Sequence, residues 1–246
     1  LTKEFIKVLS AFGVHVIDFE MATTPSMFMA TQFEEFNCDA TVMFTASHLP
    51  YYYNGLKFFT REGGLESSDI RDIIALVDEK EELPQGSVST IEVKSIFERY
   101  SRHLVELIRK GSQSEKEKPL EGLHIIVDAG NGAGGFFAKS VLEELGAKTE
   151  GSQFLDPDGA FPNHIPNPDN KEAMESIKKQ VLAVNADYGV IFDTDVDRAA
   201  VVTGSEELLN RNNLIAVLSV IVISEHPGTT IVTNSPTTEH LKKFIM

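Results

Sequence analysis

The sequence predicts an α/β fold divided into two domains. Three observations support this class. Segments with strand-type apolar runs alternate with segments of helical periodicity, and the strands of the second half are apolar along their whole length. The 246 residues also exceed the ~150 of an average domain. Strands that are apolar on both faces belong to sheets that helices cover on both sides, so we expect layered α/β domains.

The composition is that of a globular chain and limits the possible partners. Hydrophobic residues make up 42% and charged residues 24%, unlike disordered sequences. A net charge of −15 argues against nucleic acids and anionic membrane surfaces as partners. The apolar stretch at 214–223 is too short to span a membrane. Cys38 is the single cysteine, which excludes an intrachain disulfide, and we expect a reducing intracellular compartment.

The elements of the first half follow from periodicity and from end signals. Leu1, Phe5, Val8 and Phe12 have helical spacing, and Thr24-Pro25 is typical of a helix start. The predicted order is helix 1–12, strand 14–19, helix 24–36, strand 40–44, loop 45–54, strand 56–59, helix 68–77, loop 81–89 and helix 96–111. This half forms a predicted domain over residues 1–110, incomplete at its N-terminus.

The polar run 112–118 is the predicted boundary to a second domain over residues 120–225. Its predicted order is strand 123–127, a glycine-rich turn, a helix to 145, strand 147–149, loop 156–170, a helix to 184 and strands 188–192 and 199–202. A strand at 230–233 and a helix at 239–246 would open a third domain, so we expect residues 226–246 to be only its start.

Three carboxylates follow the buried strand 188–192. Asp193, Asp195 and Asp197 stand at positions i, i+2 and i+4 of a turn, where their side chains can converge. Carboxylate oxygens are the ligands that Mg²⁺ prefers, and a cation would relieve the repulsion between these groups. The alternative is a solvated acidic turn. An EF-hand is a worse fit, because Arg198 stands where that loop needs glycine and Gly204 where it needs a bidentate glutamate.

The loop at 45–50 also follows an apolar strand, where α/β folds place binding residues. It contains Ser47 and His48, and Lys57 in the next strand could return a cation to it. Adjacent residues seldom meet as nucleophile and base, and the motif G-x-S-x-G is missing, so a hydrolase triad is not expected. The alternative is an ordinary polar turn.

The glycine-rich turn at 130–135 satisfies the pattern G-x-G-x-x-G between a strand and a predicted helix. Glu150 follows about twenty residues on, as in dinucleotide-binding folds. The alternative is a tight turn in which Gly135 lets the helix approach the sheet.

Taken together, these segments resemble the α-D-phosphohexomutase family, the phosphoglucomutases and phosphomannomutases. Four motifs occur in family order over most of the chain: 45–50 (TASHLP) with 54–57 (NGLK), 127–134 (VDAGNGAG), 161–164 (FPNH) and 193–198 (DTDVDR). Leu49 in the first motif and the sequence at 193–202 most resemble those of members from plants and algae. The resemblance implies mixed-sheet domains and makes the glycine-rich turn a structural feature.

The resemblance also implies site roles. Ser47 would be the phosphoserine, and together with Asp193, Asp195 and Asp197 it would hold Mg²⁺. Lys57 would be a general acid/base, His48 would shape the serine loop or contact phosphate, and Arg198 would bind phosphate or substrate oxygens. The implied reaction interconverts 1- and 6-phosphates of a hexose, with the hexose 1,6-bisphosphate as intermediate and activator.

Family members have four domains around one cleft, so the resemblance implies that part of the active site lies elsewhere in a longer chain. We expect this segment to turn over poorly or not at all without domains III and IV as its partner. The implied location is the cytoplasm, or the plastid stroma in a plant or alga.

Three alternatives from other classes stay open at this stage. A haloacid-dehalogenase-like phosphatase would carry phosphate on Asp193 instead of Ser47. A nucleotide-binding module would use the glycine-rich turn. A non-catalytic relative of the mutases would bind sugar phosphates as a regulator.

Overall fold

The computed structural model describes residues 1–77, 89–205, 208–209, 211–232 and 243–244. The elements, in chain order, are α1 (Thr2–Ala11), β1 (Val16–Asp18), α2 (Thr24–Ala30), β2 (Ala40–Phe44), β3 (Leu56–Thr60), β4 (Gly63–Gly64), α3 (Ser67–Leu76), β5 (Ile91–Val93), α4 (Phe97–Gly111), β6 (Ile125–Asp128), a 3₁₀ turn (Ala133–Gly135), a π-helical segment (Ala138–Glu143), α5 (Lys171–Val184), β7 (Tyr188–Phe192), β8 (Ala199–Thr203), β9 (Leu208–Leu209) and α6 (Arg211–Glu225). Within the described residues, no helix is both long and apolar enough to cross a membrane.

The first part of the chain contains two small sheets. Strand β1 pairs with β5 in parallel, and β2, β3 and β4 form an antiparallel sheet. In that second sheet Met43 lies opposite Lys57, which places the lysine near the loop end of the β2–β3 pair. Half of the residues in the buried core, which we call the aromatic core, are aromatic; it comprises Phe19, Ala22, Met27, Ala30, Phe33, Phe36, Ile96 and Tyr100.

The second part is built on one mixed sheet in the order β6, β7, β8, β9. The β6–β7 pair is parallel, whereas β7–β8 and β8–β9 are antiparallel. Ile126 packs with Ile177 and Val181 of α5 on one face, while Ile125 and Val127 pack with the π-helical segment on the other. This confirms the predicted α/β layering, because neighbouring residues of β6 serve opposite faces of the sheet.

Helix α4 contributes to both parts. Tyr100 lies in the aromatic core of the first part together with Ile96, the residue before the helix. Val105, further along the helix, packs against Val141 and Leu145 of the second part. The domain boundary expected at 112–118 follows this shared helix, and it stays a prediction.

Several element bounds differ from the sequence predictions. Helix α2 ends at Ala30 instead of 36, because the Thr31 hydroxyl donates to the Phe28 carbonyl at 2.7 Å and the following residues form short turns. Its N-cap is Thr23, not Thr24, since Thr23 and Ser26 form a reciprocal capping pair. The helix expected after the glycine-rich turn is a 3₁₀ turn followed by a π-helical segment.

Other differences concern weak or undescribed segments. The strand predicted at 147–149 is reduced to a single bridge between His124 and Lys148. Residues 230–232 have no regular structure, because none of the described strands pairs with them. The remainder of that predicted strand, most of the predicted helix at 239–246 and most of the loop at 81–89 lie outside the described residues.

Candidate active site

The serine loop connects β2 to β3 and is closed at its base by a backbone bond from Thr45 N–H to the Gly55 carbonyl at 3.0 Å. A side chain at Gly55 would meet the Thr45 carbonyl oxygen at 2.5 Å, so only glycine allows this closure. Ser47 has a φ of +54° and donates its N–H to Thr45 Oγ1 at 2.9 Å. Left-handed geometry at a residue other than glycine is uncommon and concentrates at functional sites.

The acidic turn connects the antiparallel strands β7 and β8. The Asp193 N–H donates to the Arg198 carbonyl at 3.1 Å, and the Arg198 N–H donates to Asp193 Oδ1 at 2.9 Å. Val196 has a φ of +63°, a strained conformation for a β-branched residue. Asp193 and Asp195 are fully buried, and oxygens of these two carboxylates and of Asp197 lie within 4.8 Å of one another. Buried carboxylates this close need compensating positive charge.

The serine loop and the acidic turn meet. Ser47 Oγ lies 3.3 Å from Asp193 Oδ2, although the two residues are 146 positions apart. The guanidinium of Arg198 joins them, because its Nη2 lies 2.6 Å from Ser47 Oγ and 2.8 Å from Asp193 Oδ2. The same nitrogen donates to Nδ1 of His48 at 2.9 Å. The predicted residues Ser47, His48, Asp193 and Arg198 therefore form one hydrogen-bonded cluster.

Lys57 completes the set from β3. Its Nζ lies 2.7 Å from Asp195 Oδ2 and 2.7 Å from Asp197 Oδ2. The structure thus brings together every residue that the sequence analysis singled out for the site. Two cationic side chains, Lys57 and Arg198, offset the three carboxylates.

Burial and neighbouring charges together determine the pKa values of these groups. Burial, with the charges of Asp195 and Asp197, raises the pKa of Asp193 to about 6 against the opposing effect of Arg198. Burial also acts to raise the pKa of Asp197, but hydrogen bonding to Lys57 outweighs it and the pKa is lowered. For Lys57, burial acts to lower the pKa, but the two carboxylates outweigh it and the pKa is raised. Lys57 is therefore held protonated.

The three carboxylates suit a hard divalent cation. Asp195 is buried, and within the described residues its Oδ1 has no hydrogen-bond partner, whereas its Oδ2 is bonded to Lys57. A buried carboxylate oxygen without a partner carries a desolvation cost that a metal ligand bond would remove. All candidate donors are oxygens, which are typical for Mg²⁺. The residues present therefore fit such an ion.

Two contacts of the site are missing from the sequence analysis. Thr24 Oγ1 donates to Asp195 Oδ2 at 2.5 Å, and Asn167 Oδ1 accepts from Arg198 Nη1 at 3.2 Å. The capping pattern Thr23-x-x-Ser26 could have identified Thr23 as the N-cap, which would have left the Thr24 hydroxyl available for another contact. Asn167 lies in a long loop, and nothing in its spacing points to Arg198.

The glycine-rich turn is packed against protein and does not offer its backbone to a dinucleotide. A side chain at Gly135 would lie 1.9 Å from the Leu155 carbonyl oxygen, and one at Gly132 would lie 2.6 Å from the Thr194 carbonyl oxygen. The N–H groups that could hold a phosphate are already bonded: the acceptors for residues 130 to 133 are Asp128 Oδ1 and the carbonyls of Phe154, Ala129 and Thr194. This turn is therefore better interpreted as a tight structural turn than as a dinucleotide-binding site.

Comparison with protein families finds two successive matches. Residues 1–84 match the description phosphoglucomutase/phosphomannomutase, alpha/beta/alpha domain I. Residues 98–206 match phosphoglucomutase/phosphomannomutase, alpha/beta/alpha domain II. The second match begins at the start of helix α4 and ends just after β8.

Individual relatives agree with these matches. A phosphomannomutase/phosphoglucomutase of Pseudomonas aeruginosa is 32% identical over 245 residues, which cover 100% of this chain and 50% of that protein. A phosphoglucosamine mutase of Sulfurovum is 34% identical over 220 residues, covering 86% of this chain and 46% of the relative. A crystal structure of a phosphoglucomutase/phosphomannomutase family protein from Burkholderia thailandensis superposes with a TM-score of 0.82 at 27% identity, covering 96% of this chain and 50% of that one. The chain spans about half the length of the curated relatives it matches.

Proposed function

The chain belongs to the phosphoglucomutase/phosphomannomutase family, and from this premise we propose that it carries the phosphoserine and metal parts of a hexose-phosphate mutase site. The proposed overall reaction interconverts hexose 1-phosphate and hexose 6-phosphate. The observation that carries the proposal is the meeting of Ser47 Oγ with Asp193 and Arg198, at 3.3 and 2.6 Å. Phosphoryl transfer depends mainly on such positioning and on charge neutralisation.

Ser47 is the proposed carrier of the phosphoryl group. In the first transfer its Oγ–P bond breaks while a bond forms from phosphorus to a sugar hydroxyl oxygen, whose proton passes to the general base. In the second, the bond from the other phosphorus of the bisphosphate to its sugar oxygen breaks, that oxygen takes a proton from the general acid, and the phosphoryl group bonds to Ser47 Oγ. Arg198 already donates to this oxygen, and its fork suits phosphate oxygens. His48 accepts from the same guanidinium and so helps to orient it.

Lys57 is the proposed general acid/base. Its pKa is raised by Asp195 and Asp197, so it carries the proton that a general acid needs. To act as the base instead, Lys57 must first give up this proton, which becomes easier once it moves away from the two carboxylates that raise its pKa.

Mg²⁺ is the proposed cofactor, and Asp193, Asp195, Asp197 and the phosphorylated Ser47 would hold it. When bound, it supplies positive charge that offsets the phosphoryl oxygens. The hexose 1,6-bisphosphate is the proposed intermediate and activator. The sugar is not fixed by the relatives, whose names include phosphoglucomutase and phosphoglucosamine mutase. By the same proposal, this chain without domains III and IV turns over poorly or not at all.

The test is intact mass and phosphosite mapping after incubation with Mg²⁺ and glucose 1,6-bisphosphate. We expect one added phosphate on Ser47, none in Ser47→Ala, and unchanged labelling in Ser114→Ala, an exposed serine in the polar run after α4. A phosphate on Asp193 would favour the phosphatase alternative. An unmodified Ser47 in the full-length chain, which contains domains III and IV and still binds glucose 6-phosphate, would overturn the catalytic proposal in favour of a non-catalytic sugar-phosphate-binding protein.

A further inference from the structure

Thr24 links the first part of the chain to the acidic turn. It is the first residue of α2 and is buried, with 8% of its surface exposed. The capping of α2 is already provided by Thr23 and Ser26. The hydroxyl of Thr24 is therefore not needed to cap its own helix.

That hydroxyl is directed at Asp195. Thr24 Oγ1 donates to Asp195 Oδ2 at 2.5 Å, and the Thr24 N–H donates to the Asp195 carbonyl at 2.9 Å. Two bonds from one residue, one to the side chain and one to the backbone, fix both the position and the rotation of Asp195. Lys57 Nζ contacts the same Oδ2 at 2.7 Å and lies 3.4 Å from Thr24 Oγ1.

The two oxygens of Asp195 are thereby made unequal. Oδ2 accepts from Thr24 and Lys57, whereas Oδ1 is buried and has no partner among the described residues. A carboxylate whose rotation is fixed by a hydrogen bond presents its free oxygen in one direction. Partners that orient a metal ligand in this way contribute strongly to affinity.

We propose that Thr24 is a positioning residue that orients Asp195 so that its Oδ1 faces a divalent cation bound by the acidic turn. This inference rests on the metal site of the proposed function. Thr24 itself contacts neither the cation nor the substrate. Loss of its hydroxyl leaves the Asp195 carboxylate held by Lys57 alone, a flexible side chain that also binds Asp197, while the backbone bond between residues 24 and 195 stays.

The test is Mn²⁺ binding, measured from the electron paramagnetic resonance signal of the free ion, with Mg²⁺ as competitor. Thr24→Ser and Thr24→Ala form a matched pair, because both lack the methyl group and only the first keeps the hydroxyl. We expect Thr24→Ala to bind Mn²⁺ about 10-fold more weakly and Thr24→Ser within about twofold of the unaltered chain. Thr24→Val, which preserves the side-chain volume but lacks the hydroxyl, should bind Mn²⁺ as weakly as Thr24→Ala.

Two results would overturn the inference in distinguishable ways. Equal Mn²⁺ affinity of Thr24→Ala and Thr24→Ser, with the unaltered chain binding normally, would leave the metal site standing and remove the role of Thr24. No Mn²⁺ binding by the unaltered chain would remove the metal site and the positioning role together. Circular dichroism and melting temperature in EDTA accompany each variant, so that the affinities refer to folded protein.

Discussion

The ammonium group of Lys57 lies between Asp195 and Asp197, at 2.7 Å from an oxygen of each, and competes with a divalent cation for the same carboxylates. We predict that Lys57→Met binds Mg²⁺ more tightly, in calorimetric titration, because the competing charge is gone. Without metal the variant should lose about 1–2 kcal/mol of unfolding free energy, less than a fully buried pair because Lys57 is partly exposed.

Lys94→Met is the control for this prediction. Its ion pair with Glu92 is also short, at 2.8 Å, but both side chains are about 40% exposed. Such surface pairs contribute little, so its stability should barely change and its Mg²⁺ affinity should stay the same. Weaker Mg²⁺ binding by Lys57→Met would show that the lysine supports the metal instead of competing with it.

A second prediction at this scale concerns the buried pair of His164 and Asp128, whose atoms lie 3.0 Å apart. Burial acts to lower the pKa of His164, but the hydrogen bond and charge of Asp128 outweigh it and the pKa is raised. A raised folded-state pKa contributes stability that is complete below the unfolded value of about 6.5 and is lost as pH rises through the folded value. His164→Gln should therefore cost about 3 kcal/mol at pH 6 and clearly less at pH 9, by urea unfolding. A cost that grows with pH would contradict the charged pair.

At the scale of elements, the glycine-rich turn joins β6 to the helical segments by close backbone contact. Gly135→Ala would place its Cβ 1.9 Å from the Leu155 carbonyl oxygen, so we expect it to destabilise the fold by about 3 kcal/mol or more. Gly159→Ala is the matched control, since nothing lies within 4 Å of its added Cβ.

NAD should not change the melting temperature of the unaltered chain. A tolerated Gly135→Ala or a shift with NAD would revive the nucleotide-binding interpretation.

The elements also show what the sequence could predict. Strands β7 and β8 were predictable because they are continuous apolar runs, and with them the place of the acidic turn. The end of α2 at Ala30 was not, because the bond from the Thr31 hydroxyl to the Phe28 carbonyl overrides a helical pattern. The role of Thr24 could not be predicted either, because its contact with Asp195 spans 171 positions and local sequence patterns do not indicate such long-range contacts.

At the scale of the whole molecule, the site is assembled from both parts of the chain. Thr24, Ser47 and Lys57 come from the first part, whereas the carboxylates and Arg198 come from the acidic turn of the second. A ligand of this turn should therefore stabilise the fold as a unit. We predict that Mg²⁺ at about 100 times its Kd adds about 2.7 kcal/mol to the unfolding free energy.

The comparison requires constant ionic strength, because a net charge of −15 makes any salt stabilising to some degree. NaCl at the ionic strength of the Mg²⁺ sample is the reference, and Asp197→Asn is the matched variant. Scanning calorimetry should show a higher melting temperature with Mg²⁺ only when Asp197 is present. The same shift in Asp197→Asn would assign the stabilisation to general screening.

The most direct measurement of the central claim, that Ser47 and the acidic turn act as one site, is the rate of Ser47 phosphorylation by glucose 1,6-bisphosphate against Mg²⁺ concentration. It is followed by intact mass in the unaltered chain, Asp195→Asn and the exposed-site control Asp187→Asn. We predict a rate that saturates with Mg²⁺ in the unaltered chain and the control and is abolished in Asp195→Asn. Phosphorylation of Ser47 that proceeds equally without Mg²⁺, or equally in Asp195→Asn, would contradict the account.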